Sequence, residues 1–188
     1  MRSDGEATRG RILDAAGREF ADHGLAGARV DRIAAAANAS KERLYAYFGD
    51  KRSLFVAVLT THMEEIMESM PVTGDDLPGF VGGIFDFAHV HPEHFRMMEW
   101  ARLGGDVDLL PDVPAAVRER DIAAIRAAQH RGVVDPEWEP SELFALLFAI
   151  ALARSQFSVM EAGADASPDT VAQHRAAAVR AAHKLVTP

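Results

Sequence analysis

Lys41, Arg43 and Lys51 stand beside Tyr45, Tyr47 and Phe48 in the stretch ANASKERLYAYFGDK, residues 37–51. Cations to neutralise phosphate, hydroxyls to hydrogen-bond its oxygens and a small Ala46 between them are what a polyanion-binding surface needs. The surrounding composition makes the cluster conspicuous. Residues 1–60 hold ten Lys/Arg and eight Asp/Glu, whereas residues 61–188 hold ten Lys/Arg and twenty Asp/Glu, and the whole chain carries a formal charge of −8. An acidic body repels a polyanion; a mildly basic head does not. Two regions with different partners are expected.

Whether these groups act together depends on the element that carries them. On a helix over 41–48, ~100° per residue puts Leu44 and Phe48 on a buried face, with Tyr47 at its margin. Lys41, Glu42, Tyr45 and Ala46 then face outward, and Arg43 lies on the opposite flank. Such a surface fits a major groove, where Ala46 permits close approach and the longer polar side chains reach base edges. Ser40 is placed to cap this helix, and its hydroxyl, the first amides and the two tyrosine hydroxyls are donors for phosphate oxygens. Lys51 opens the next helix, where a cation opposes the helix dipole unless an anion joins it.

The rest of the chain reads as helix, rich in Ala, Leu and Arg and without hairpin patterns. A first helix is predicted over Thr8–Asp22, stopped by His23-Gly24, and a second over Val30–Ala37. Asn38 follows, a residue that tolerates the left-handed turn. Two short helices on a tight turn, with a helix before them, form a helix-turn-helix. A long fourth helix from Lys51 carries the stripe Leu54, Phe55, Val58, Leu59, Met63, Ile66 and Met70. Further helices are predicted over 77–90, 92–104, 114–131, 140–163 and 168–186, punctuated by Pro and Gly. The segment LFALLFAIALA, Leu143 to Ala153, is apolar all round, so it asks for partners on two sides: its own core and a second subunit.

Several classes are excluded. Cysteine is absent, so there is no disulfide or thiolate site. The start, MRSDGEATRGR, lacks the apolar stretch of a secretory signal. The longest apolar run is eleven residues, Leu143 to Ala153, against the roughly 20 that span a bilayer. A cytoplasmic protein with no membrane partner is expected. No nucleophile elbow, phosphate loop or metalloprotease signature appears, so no enzyme is expected.

Thr8 to Leu59, with RILDAA…F…G, then V..IA..A..S, then LY.YF..K..L, resembles the DNA-binding region of the TetR family of bacterial transcriptional regulators. The stretch HPEHFRMMEWAR is also typical of many members. The resemblance implies an all-α chain: an N-terminal three-helix helix-turn-helix DNA-binding region, residues 1–50, joined by the long fourth helix to a C-terminal helical ligand-binding and dimerisation bundle, residues 51–188. It implies a ligand-responsive regulator, a repressor, that binds a pseudo-palindromic double-stranded DNA operator as a homodimer and is released by a small-molecule effector. By position, Ser40, Tyr45, Tyr47 and Lys51 match phosphate contacts, while Lys41, Glu42, Arg43 and Ala46 stand at base-facing positions. Arg29 stands where a capping Ser or Thr is usual and keeps the option of a phosphate contact. For the effector, Phe85, His89, Met97, Trp100, Phe144 and Phe148 are the candidate lining.

His89, His91 and His94 raise the question of a metal. Residues 89 and 91 point nearly opposite ways on one helix, and Pro92 starts a new helix between 91 and 94. No metal ligand and no cofactor is therefore expected. The alternative from another class is a helical metal- or ligand-binding enzyme with a DNA-binding-like head.

Overall fold

A computed structural model describes residues 2–109, 115–157 and 167–188, and each predicted helix has a counterpart among them, α1 being longer at both ends than expected. In order these are α1 Arg2–Gly27, α2 Val30–Ala36, α3 Lys41–Phe48, α4 Lys51–Ser69, α5 Leu77–Val90, α6 Pro92–Leu103, a 3-10 turn Val107–Leu109, α7 Ala115–His130, α8 Pro140–Phe157 and α9 Pro168–Val186. Pro114 and the stretch 158–163 of the helix expected over 140–163 lie outside the described residues. The helices form two compact units, Met1–Ile66 with His91–Asp112, and Met67–Val90 with Val113–Pro188. Packing thus divides the chain differently from the expected division into 1–50 and 51–188, because α6 returns to pack on α1.

The first unit is built on one apolar core. Ile12, Ala16 and Phe20 of α1 meet Ile33 of α2, Leu44 of α3, Leu54 and Phe55 of α4 and Met97 of α6, all buried. The rings of Phe20 and Phe55 meet edge to face at 5.0 Å. Each such side chain contributes about 1.5–3 kcal/mol by leaving water. Helix α1 starts at Arg2 rather than Thr8, and acidic Glu6 in its early turns suits the positive end of the dipole. Its helical path breaks at Gly24, with φ 64 and ψ 178, where the sequence placed the stop. A Cβ at Gly24 would lie 2.9 Å from Cε3 of Trp100, whose Nε1 donates to the Ala21 carbonyl at 3.0 Å.

Local chemistry sets the turn. Arg29, the N-cap of α2, makes no side-chain cap bond, as expected. Glu19 supplies the acceptor instead: its Oε1 takes the Arg29 amide at 2.8 Å and pairs with Arg32 at 2.6 Å. Burial pulls the Glu19 carboxyl upward, but the hydrogen bonds from Arg32 and the Arg29 amide outweigh it and hold the group below its ordinary value. Asn38 has φ 49 and is the one non-glycine with positive φ among the described residues. Ser40 Oγ then accepts the Arg43 amide at 3.2 Å, and α3 ends at Gly49, φ 77.

In the second unit α5 packs on α9 and α8. Gly82 makes this possible, since a Cβ there would lie 2.8 Å from Arg175 Nη2 and 3.2 Å from Val179 Cγ2. Arg175 Nε also donates to both carboxylate oxygens of Asp86 at 2.8 Å. Close packing accounts for Gly82. Helix α8 buries Leu143, Leu147 and Ala151, while Ala145, Leu146 and Ala149 on its other side are exposed in the single chain. None of the helices among the described residues is long and apolar enough to cross a membrane.

Candidate nucleic-acid interface

The face expected to meet DNA is formed by α3. Leu44 and Phe48 are buried at 0% and 8% exposure, and Lys41, Glu42, Arg43, Tyr45, Ala46 and Tyr47 are exposed. The buried pair fixes the helix rotation, and the Ser40 cap and the Asn38 turn fix its start. Arg9 of α1 sits over the Phe48 ring, 5.4 Å from its centroid, closing the core edge with a cation.

Besides the Ser40 cap, three of the candidate side chains are engaged within the protein. Lys41 Nζ pairs with Asp31 at 2.6 Å, and the hydrogen bond to Asp31 raises its pKa. The Tyr47 hydroxyl donates to the Gly5 carbonyl at 3.1 Å, tying α3 to the start of α1. Lys51 Nζ donates to the carbonyls of Ala28 at 3.1 Å and Ala26 at 3.3 Å. Lys51 thus finds its negative partners in carbonyls that follow the break in α1. One of its three N–H donors remains for a phosphate. Tyr45, at 43% exposure, and Arg43 present their side chains to solvent. Arg29 is exposed beside them at the start of α2.

The residues expected around an effector fall in both units. Met97 is fully buried in the core of the first unit, and Trp100 of the same unit bonds to α1. Phe144 lies between Phe80 and Phe148 in the second unit, with ring centroids 5.9 Å and 6.3 Å away. Phe85 is buried there, and His89 is exposed near the end of α5. Glu19, which holds the α1–α2 corner and so aims α3, was missed by the sequence reading. Its partners lie 10 and 13 residues away, a pairing that helix periodicity does not signal.

A capped, outward-facing α3 on a tight turn over α1 and α2 defines a helix-turn-helix protein that binds DNA. The comparisons agree: "Bacterial regulatory proteins, tetR family" matches residues 12–58, and "Tetracyclin repressor-like, C-terminal domain" matches residues 76–184. The chain belongs to the TetR family and is a ligand-responsive DNA-binding transcriptional regulator. It is 41% identical over 150 residues to the HTH-type transcriptional repressor SCO4008 of Streptomyces coelicolor, covering 79% of this chain and 78% of that one. The crystal structure of the transcriptional regulator SCO4942, also of Streptomyces coelicolor, superposes with a TM-score of 0.82 at 36% identity, covering 95% of this chain and 98% of that one. An HTH-type transcriptional regulator of Mycobacterium tuberculosis, MT2310, is 30% identical over 62% of this chain and 67% of its own. These relatives are named as regulators, and none of them as an enzyme.

Proposed function

We propose that the protein is a cytoplasmic repressor that acts as a homodimer on a pseudo-palindromic operator and is released by a small-molecule effector. The observation that carries this is the exposed α3 face, set by buried Leu44 and Phe48. Similarity to a named repressor supports the sign of regulation. Each subunit would place α3 in a major groove, with half-sites one helical turn apart, roughly 34–36 Å. Arg43, Lys41, Glu42 and Ala46 would face bases; Tyr45, Ser40, Tyr47, Lys51 and Arg29 would face phosphates. Lys41 must leave Asp31 to reach a base, so Arg43 is the leading base reader.

The functional division is 1–50 for DNA and 51–188 for regulation. In the second unit Phe85, Phe144 and Phe148 are the favoured effector contacts, with His89 as a polar one, whereas Met97 and Trp100 support the helix-turn-helix. The effector would bind a dimer whose α3 helices are wrongly spaced. About 1–3 kcal/mol of differential affinity would shift operator occupancy roughly 5–150-fold. Selection of bound duplex from a random pool tests the reading. The expected product is an inverted repeat; recovery of no enriched sequence would refute specific binding. Thermal shift with a metabolite panel then tests the effector, which must both raise the melting temperature and release that duplex.

A further inference from the structure

At the start of α6, three groups able to donate lone pairs converge. His91 Nδ1 and His94 Nδ1 each lie 3.5 Å from the same oxygen, Glu93 Oε1. The ligand atoms of the three residues all lie within 4.8 Å of one another. His94 is only 4% exposed, and its other nitrogen, Nε2, is 2.9 Å from Glu65 Oε2 on α4.

The hydrogen-bond chemistry restricts what this arrangement can hold. An ionised carboxylate only accepts, so Nε2 of His94 carries the proton that Glu65 takes. In a neutral imidazole Nδ1 then points its lone pair at the Glu93 oxygen. Two lone pairs facing each other across this gap are suited to a metal ion between them. A carboxylate on the far nitrogen of a metal-binding imidazole is the usual orienting contact in such centres. Distances favour the metal. Bonds of about 2.0–2.1 Å in a tetrahedral zinc site separate neighbouring ligand atoms by about 3.3 Å. Both contacts to Glu93 are near that length, and the half-exposed His91 ring needs only to swing inward.

The sequence argument against a metal does not reach this set. It held that residues 89 and 91 diverge and that a new helix intervenes before 94. His89 is indeed exposed on α5 and takes no part. However, His91 is the N-cap of α6, so His91 and His94 meet at helical spacing across the new helix's first turn, with ring centroids 5.2 Å apart. Beside them, between α1, α4 and α6, lies a cavity of about 210 Å³ that gives access for water as a fourth ligand.

We propose that His91, Glu93 and His94 form a binding site for a divalent transition-metal ion of the zinc class, with Glu65 as a positioning residue. Chelator-stripped protein would be titrated with Zn2+ by calorimetry and with Co2+ by visible absorption. Saturation at one ion per chain is expected, with the intense visible bands of tetrahedral Co2+. His91→Ala changes a half-exposed side chain and so leaves the fold intact; it and Glu93→Gln should each weaken Zn2+ binding at least tenfold. His130→Ala, on α7, should leave binding unchanged. Glu65→Gln should keep the stoichiometry and lower affinity about 10–100-fold, the loss typical of an orienting partner. No saturable uptake would overturn the site. Uptake unchanged in both His91→Ala and Glu93→Gln would do the same. Parental affinity in Glu65→Gln would overturn its positioning role.

Discussion

Lys51 donates to the carbonyls of Ala26 and Ala28, so its replacement removes hydrogen bonds at the end of α1 as well as a charge. Lys51→Ala is therefore expected to weaken binding to every duplex and also to lower the melting temperature. Tyr45 is 43% exposed, and Tyr45→Ala should weaken binding uniformly while leaving stability unchanged. Arg43→Ala should instead relax preference at one base position, a difference of about 1–3 kcal/mol between cognate and altered duplex. Fluorescence anisotropy on selected and point-altered duplexes separates the three, and identical losses on all duplexes for Arg43→Ala would remove it from the base-reading face. At Glu19 the prediction concerns pH. Its folded pKa is lowered, so its contribution is present above the unfolded carboxylate range and fades as pH falls through the folded value. Glu19→Ala should cost about 1 kcal/mol at neutral pH, as for loss of a helix cap. The gap between parent and variant melting temperatures should narrow as pH falls below about 4.3, the ordinary Glu value. A gap that stays constant into that acid range would show that the carboxylate charge does not matter.

Helix α1 depends on a break, and the break depends on Gly24. Its φ of 64 disfavours any side chain, and the Trp100 ring occupies the space a Cβ needs. Gly24→Ala combines both penalties and is expected to destabilise the first unit by about 1–3 kcal/mol. Thermal unfolding measures it, and an unchanged midpoint would mean that α1 can continue straight through this position. The break itself was legible in His23-Gly24, as were the Asn38 turn, the Ser40 cap and the rotation of α3, because each rests on neighbours within one or two turns. The Trp100–Gly24 contact was not legible, since its partners are far apart in sequence. Met97 shows the same limit from the other side: an apolar side chain announces burial but not the core it joins.

For the whole molecule the open surface is on α8 and α9. Leu143, Leu147 and Ala151 fill the second unit, yet Ala145, Leu146 and Ala149 remain exposed on the same helix, with Leu146 at 39%. Helix α9, which packs on α8, exposes Ala172 and Ala176 one turn apart. Small residues beside a leucine let two copies of such a surface approach closely, and a two-fold axis makes the contact self-complementary. On a dimer face built from this surface, Leu146→Glu would put a charge opposite its own copy across the axis, where like charges repel and lose water together. The parent is expected at twice the chain mass by light scattering and the variant at the chain mass, with its helical content retained because Leu146 packs little within its own chain. Operator affinity should then fall about 10²–10⁴-fold, the gain that linking two half-site contacts provides. A Leu146→Glu protein that stays dimeric would move the interface elsewhere, and a monomer that binds the full operator as tightly as the parent would refute the two-subunit reading of the DNA.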